Sequence, residues 1–190
     1  SAHTLGFGAV ATGLLCAFIA RQATARNPLL PLRVLASRNV WGANVVQVLT
    51  VAGMFGMFFF GSLYLQRVLG YSALQIGFAF LPTSLGMGVL SLAISARLYS
   101  RFGQRPVLLT GFTLITTGLL LLTRAPVDGR YLVDVLPSMV LIGVGAGLAF
   151  PGLMALAMSS ATPCDAGLAS GLVNSTAQVG GALGLAVLGT

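Results

Sequence analysis

Between Arg105 and Arg124 the chain runs from Pro106 to Thr123 without a single charge, and runs of this kind fill most of the sequence. A charged side chain costs about 2.5–3.5 kcal/mol at the centre of a helix inserting into a bilayer, so Arg and Asp mark where such a chain leaves the hydrocarbon. As an α-helix the Pro106–Thr123 run is about 27 Å long, close to the roughly 30 Å of a hydrocarbon core. It holds one span and no more. The same rule applied throughout divides the chain into about six spans. They are Leu5–Ala20, Val40–Leu65, Ala73–Ala96, Pro106–Thr123, Tyr131–Met154 and Leu168–Thr190. The expected fold class is all-α, a polytopic transmembrane helical bundle.

Composition excludes the main alternatives. Only 7% of residues are charged and 56% are hydrophobic, whereas soluble domains carry roughly 25% charged residues. Such a chain cannot cover its own surface in water, and its first partner is the lipid bilayer. Its 25 glycines suit membrane helices, whose backbones approach closely over small residues. The net charge of +7 comes from arginines lying between apolar runs, not on one helix face interleaved with aromatics, so no nucleic acid is expected. Cys16 and Cys164 are far apart, and the single histidine is His3. They supply neither a disulfide framework nor a metal site, and no Ser/His or paired-acid constellation for hydrolysis exists. The chain is expected to be no enzyme and to hold no cofactor.

Arginine placement also orients the chain. The connector after the first span holds Arg21, Arg26, Arg33 and Arg38, and the one after the third holds Arg97, Arg101 and Arg105. The intervening connectors hold Arg67, and Arg124 with Arg130. Seven against three puts segments 21–39 and 97–105 in the cytoplasm and the N-terminus outside. A secretory signal peptide is the competing reading of residues 1–20, but it wants a basic leader, and the first arginine is Arg21.

Polar residues inside spans mark either helix contacts or a route for a solute. Asn44 and Gln47 share a face of the second span, which continues through Val51, Met54, Phe55 and Phe58. Asn174 and Gln178 share a face of the sixth. These amides either bond to neighbouring helices or, with the soft Met and Phe surface, line a cavity for a bulky, partly apolar substrate. In the fifth span Gly143, Gly145 and Gly147 are expected to leave a groove on one flank, with Pro151 bending the helix beyond them. Pro82 is expected to kink the third. No acid lies deep in any span, and Asp134, near an outer end, is the nearest.

The connector Ala96-Arg97-Leu98-Tyr99-Ser100-Arg101-Phe102-Gly103-Gln104-Arg105 is short and basic. It resembles the loop signature of the major facilitator superfamily, Gly-x-Leu-Ala-Asp-Arg-x-Gly-Arg-Arg/Lys, at Leu98, Arg101, Gly103 and Arg105. Ser100 stands where the family carries the acid of a charge relay that holds one conformation. Asn27-Pro28-Leu29-Leu30-Pro31-Leu32-Arg33, Tyr64–Ser72, Gly145–Pro151, Asp165–Gly171 and Gly180–Gly184 continue the likeness in order. Together they resemble fourteen-span drug:proton antiporters of the EmrB/QacA type.

That resemblance implies a C-terminal half of a multi-pass plasma-membrane exporter. Residues 1–20 would be a truncated central span, 21–39 a cytoplasmic connector, and 40–190 five spans of the C-terminal bundle with its last span missing. It implies a small-molecule substrate, alternating access and a proton gradient as energy source. It also implies a missing N-terminal half of the same transporter as partner, carrying the proton site. The rival expectation is a non-transporting membrane scaffold built from a degenerate half-transporter.

Overall fold

The computed structural model describes residues 2–24, 38–159 and 166–189. The Asn27–Arg33 connector, Cys164 and Asp165 lie outside the described residues. Helix α1 is Ala2–Thr24 and α2 is Arg38–Arg67. Helix α3, Ala73–Val89, passes through a π-helical stretch at Leu90–Ile94 into α4, Ser95–Phe102. Helix α5 is Gln104–Leu122; a second π-helical stretch, Tyr131–Val135, opens α6, Leu136–Ala157; and α7 is Ala166–Leu188. Five of the helical units are long and apolar enough to cross a membrane: Arg38–Arg67, Ala73–Phe102, Gln104–Leu122, Tyr131–Ala157 and Ala169–Leu188. Helix α1 carries a shorter apolar run, Gly6–Phe18, and its described side chains are exposed.

Local chemistry sets the ends. Helix α2 stops where Val68 and Leu69 N–H groups both turn back to the Tyr64 carbonyl and Gly70 takes φ 69°. Two residues later Ser72 caps α3: its hydroxyl accepts from the Gln75 N–H, while its own N–H donates to Gln75 Oε1 at 2.8 Å. At the far end of that span the connector expected over 97–105 is almost entirely helix. Only Gly103 leaves the helical conformation, at φ 82°, a region open to glycine and strained for other residues. The basic residues did not require a loop, because a helix end reaching the interface keeps its guanidinium groups in water.

Helix α6 is the centre of the bundle. Of its membrane-length window 56% is buried, against 11% to 33% in the other spans. It packs on α3, α5 and α2, while α7 packs mainly on α2. Neighbours in sequence run in opposite directions, so α3 lies parallel to α6, and α2 parallel to α7. Gly143 meets Thr83 and Gly147 meets Met87, which fixes the first register; Gly180 meets Val48 and Gly184 meets Ala52, which fixes the second. Trp41, Leu74, Leu92, Leu109 and Val187 point outward, as expected where lipid replaces water and helices associate by close packing.

The three glycines of α6 do not line one flank. Gly143 and Gly147 face α3, whereas Gly145 faces α5, where a Cβ would lie 2.6 Å from the Gly111 carbonyl oxygen. Positions two apart on a helix differ by about 200°, so a 143/145/147 series serves two neighbours.

Candidate functional site

The two prolines make weak points in a paired structure. Proline removes an N–H, so the carbonyl four residues earlier, that of Phe78 or Gly147 here, loses its helical donor and the turn before the proline is loosened. In α3, three residues before Pro82, the Ala79 carbonyl accepts from the Tyr131 hydroxyl of the α6 unit at 2.7 Å. In α6, three residues before Pro151, the Leu148 carbonyl accepts from the Tyr99 hydroxyl of α4. Gln104 adds a bond from Nε2 to the Gly152 carbonyl at 3.1 Å. Between these ties, Thr83 Oγ1 donates to the Met139 carbonyl at 3.0 Å. The α3–α6 pair is therefore laced at both ends, each tyrosine serving the proline-weakened helix of the other.

This places the residues of the basic connector. Leu98 is half-buried, whereas Ser100, Arg101 and Arg105 are exposed and Gly103 forms the turn. Ser100 donates its hydroxyl to the Arg97 carbonyl at 2.9 Å. The polar side chains that hold this end to α6 are Tyr99 and Gln104, which sequence reasoning passed over. Their signal lay in position, an aromatic hydroxyl and an amide flanking a glycine turn opposite a helix proline.

The expected substrate stripe on α2 divides. Gln47, Val51 and Met54 are buried, and Met54 packs with Ile115, Ala146 and Ala149. Phe55 lies over Gly181 of α7, and Phe58 lies beside Phe80 of α3 with ring centroids 5.0 Å apart. Both keep a large exposed area. Asn44 donates from Nδ2 to the Val40 carbonyl at 2.8 Å, while its buried Oδ1 has no partner among the described residues.

On α7 the face toward α2 consists of Ala169, Val173, Gly180 and Gly184, all buried. Asn174, Ser175 and Gln178 lie on its exposed flank, in the middle of the helix. Asn174 Nδ2 donates to the Ser170 carbonyl at 3.1 Å. Because Val48 meets Gly180 and Ala52 meets Gly184, Asn44 and Gln47 stand at the level of Thr176–Val179. The structure thus brings the two amide pairs to one height on adjacent parallel helices. The α7 pair faces outward and the α2 pair inward.

At the opposite end of α5, Asp134 Oδ2 accepts the Arg130 N–H at 2.7 Å, and the Tyr64 hydroxyl donates to the Pro126 carbonyl at 2.6 Å. The acid nearest to the membrane interior is a fastener of its own loop.

The model of the major facilitator superfamily matches residues 4–185, nearly the whole chain. The chain belongs to this superfamily. Among its relatives, a puromycin resistance protein of Streptomyces alboniger is 41% identical over 93% of the chain. The cephamycin export protein CmcT of Amycolatopsis lactamdurans is 37% identical over 98%. A tetracenomycin C resistance and export protein of Streptomyces glaucescens is 35% identical, also over 98%. The chain spans only 36%, 40% and 34% of these three relatives. A major facilitator bundle of five membrane-length helices is a multi-pass membrane protein of a transporter family, and its matches carry the names of exporters and resistance proteins, not of enzymes.

Proposed function

We propose that the chain is the C-terminal side of a fourteen-span exporter that moves drugs or other small amphipathic molecules out of the cell in exchange for protons. One observation carries the reading. Asn174, Ser175 and Gln178 form a polar strip on the exposed flank of a membrane-length helix, level with Asn44 and Gln47. A cluster of exposed amides and a hydroxyl in the middle of a membrane helix is costly against hydrocarbon. That flank therefore faces a cavity or another part of the transporter, with Phe55, which lies over Gly181, as adjoining apolar surface and Phe58 extending that exposed surface toward α3. Met54 supports that surface from inside.

The relatives supply the direction of transport, since two are named for export and two for resistance. The proposed division is 1–20 as a central span, 21–39 as a cytoplasmic connector and 40–190 as the bundle, in the plasma membrane with the N-terminus of the chain outside. Alternating access would rock this bundle against a partner half. The laced α3–α6 pair, with Gly143, Gly147 and Pro151, would act as its rigid gate element. Asp134 is committed to the Arg130 amide, which supports a proton carrier elsewhere in the longer protein.

The test uses that longer protein in vesicles under an imposed pH gradient. Export should follow the gradient, and Asn174→Leu and Gln178→Leu should each change which compounds are exported. Export indifferent to the gradient would sink proton exchange; an unchanged compound range would remove the α7 strip from the substrate path.

A further inference from the structure

Where α4 meets α5, a cleft of about 280 Å³ opens on the outside of the bundle, lined by Leu98, Phe102, Pro106, Val107, Thr110 and Leu148. Thr110 is its one polar side chain, and its hydroxyl is bonded to the Pro106 carbonyl at 2.9 Å. The lining is thus a hydrocarbon surface with no free donor. Its mouth is basic. The Arg101 guanidinium carbon sits 5.5 Å from the centroid of the Phe102 ring that forms one wall. Arg97, Arg101 and Arg105 are all exposed on this end. Among the described residues the acids are Asp128 and Asp134, both beyond the opposite end of α5, so none of these arginines has a carboxylate partner there.

We infer that this cleft is a binding site for an anionic phospholipid of the bilayer. An acyl chain would lie against Leu98, Phe102, Val107 and Leu148, and the phosphate would sit among Arg101, Arg105 and Arg97. The physical requirement is an apolar slot opening directly beneath clustered positive charge at a membrane boundary. Arginine meets it better than lysine, because its planar fork binds two phosphate oxygens while its stem covers apolar surface. Zwitterionic lipids offer the same chain without the net charge. The site needs only membrane embedding, and no transport activity.

Spin-labelled phosphatidylglycerol and phosphatidylcholine, compared in phosphatidylcholine bilayers containing the longer protein, test it through the motionally restricted lipid fraction. Phosphatidylglycerol should be preferred. Arg101→Gln should weaken that preference about fivefold, the effect of one interfacial charge. Thr110→Trp fills the cleft and leaves every arginine in place, and it should abolish most of the preference. Leu98→Phe, a smaller plug, covers the case in which the tryptophan variant loses helix by circular dichroism. Equal association of the two lipids overturns the site. So does a preference that survives the plugs, because diffuse surface attraction then accounts for it.

Discussion

Tyr99 and Tyr131 are single side chains on which the meeting of two helices depends. Each hydroxyl serves a carbonyl three residues before a proline in the neighbouring helix. Replacing either by Phe keeps the ring and removes only the bond. Each should lower stability by about 0.5–1.5 kcal/mol, the usual net value of one hydrogen bond, as read by denaturant titration in detergent. Tyr71→Phe is the internal control, since the Tyr71 hydroxyl makes no hydrogen bond among the described residues and its ring still packs near Tyr131. Losses of equal size in all three variants would remove the special standing of the two ties. The same scale decides which amides are structural. Asn44 is half satisfied by its own helix, whereas Gln178 is exposed on the outer flank of α7, so Gln178→Leu should leave stability nearly unchanged while altering any solute-facing property.

Among the helices, α6 sets the tolerance of the whole bundle. A Cβ at Gly145 would stand 2.6–2.8 Å from the Gly111 carbonyl and from Ile115, so α5 and α6 must separate to admit it. Gly145→Ala should cost about 1–3 kcal/mol as overpacking. Gly171→Ala, at a position with nothing within 4 Å, should cost nothing measurable in the same titration. These contrasts show why some of the architecture was legible in the chain and some was not. Spans were readable because charge is expensive in lipid: the run after Arg105 became α5, and Ala73 and Tyr131 begin spans as expected. The π-helical stretches and the helical course of Arg97–Phe102 were not, because exposed arginines mark only where a chain meets water and not whether it stays helical. The expected α2 stripe divides, because which part turns inward depends on where α6 and α7 pack, and hydropathy carries no such information. Polarity alone located Asn174 and Gln178; their height beside Asn44 came from the Val48–Gly180 and Ala52–Gly184 contacts.

As a whole, the bundle packs small residues where its helices come closest and large apolar ones such as Leu65, Met139 and Ile142 in its core, while further large apolar side chains face outward. Its two ends differ in charge. Among the described residues, Arg97, Arg101 and Arg105 gather at one end, while Asp128 and Asp134 accompany Arg124 and Arg130 at the other. The proposed cytoplasmic placement of the first group is checked by thiol labelling in intact cells, in a chain whose Cys16 and Cys164 are replaced by serine. A cysteine at Asp128 should react with an impermeant reagent, and one at Ser100 should react only after permeabilisation. The reverse pattern would invert the bundle. Gly103 adds a mechanical consequence. With one non-helical residue between α4 and α5, the joint has no slack to take up movement. It is a hinge pin and not a cable: the two helix ends stay one residue apart, so any tilt of one span against the other must turn about Gly103.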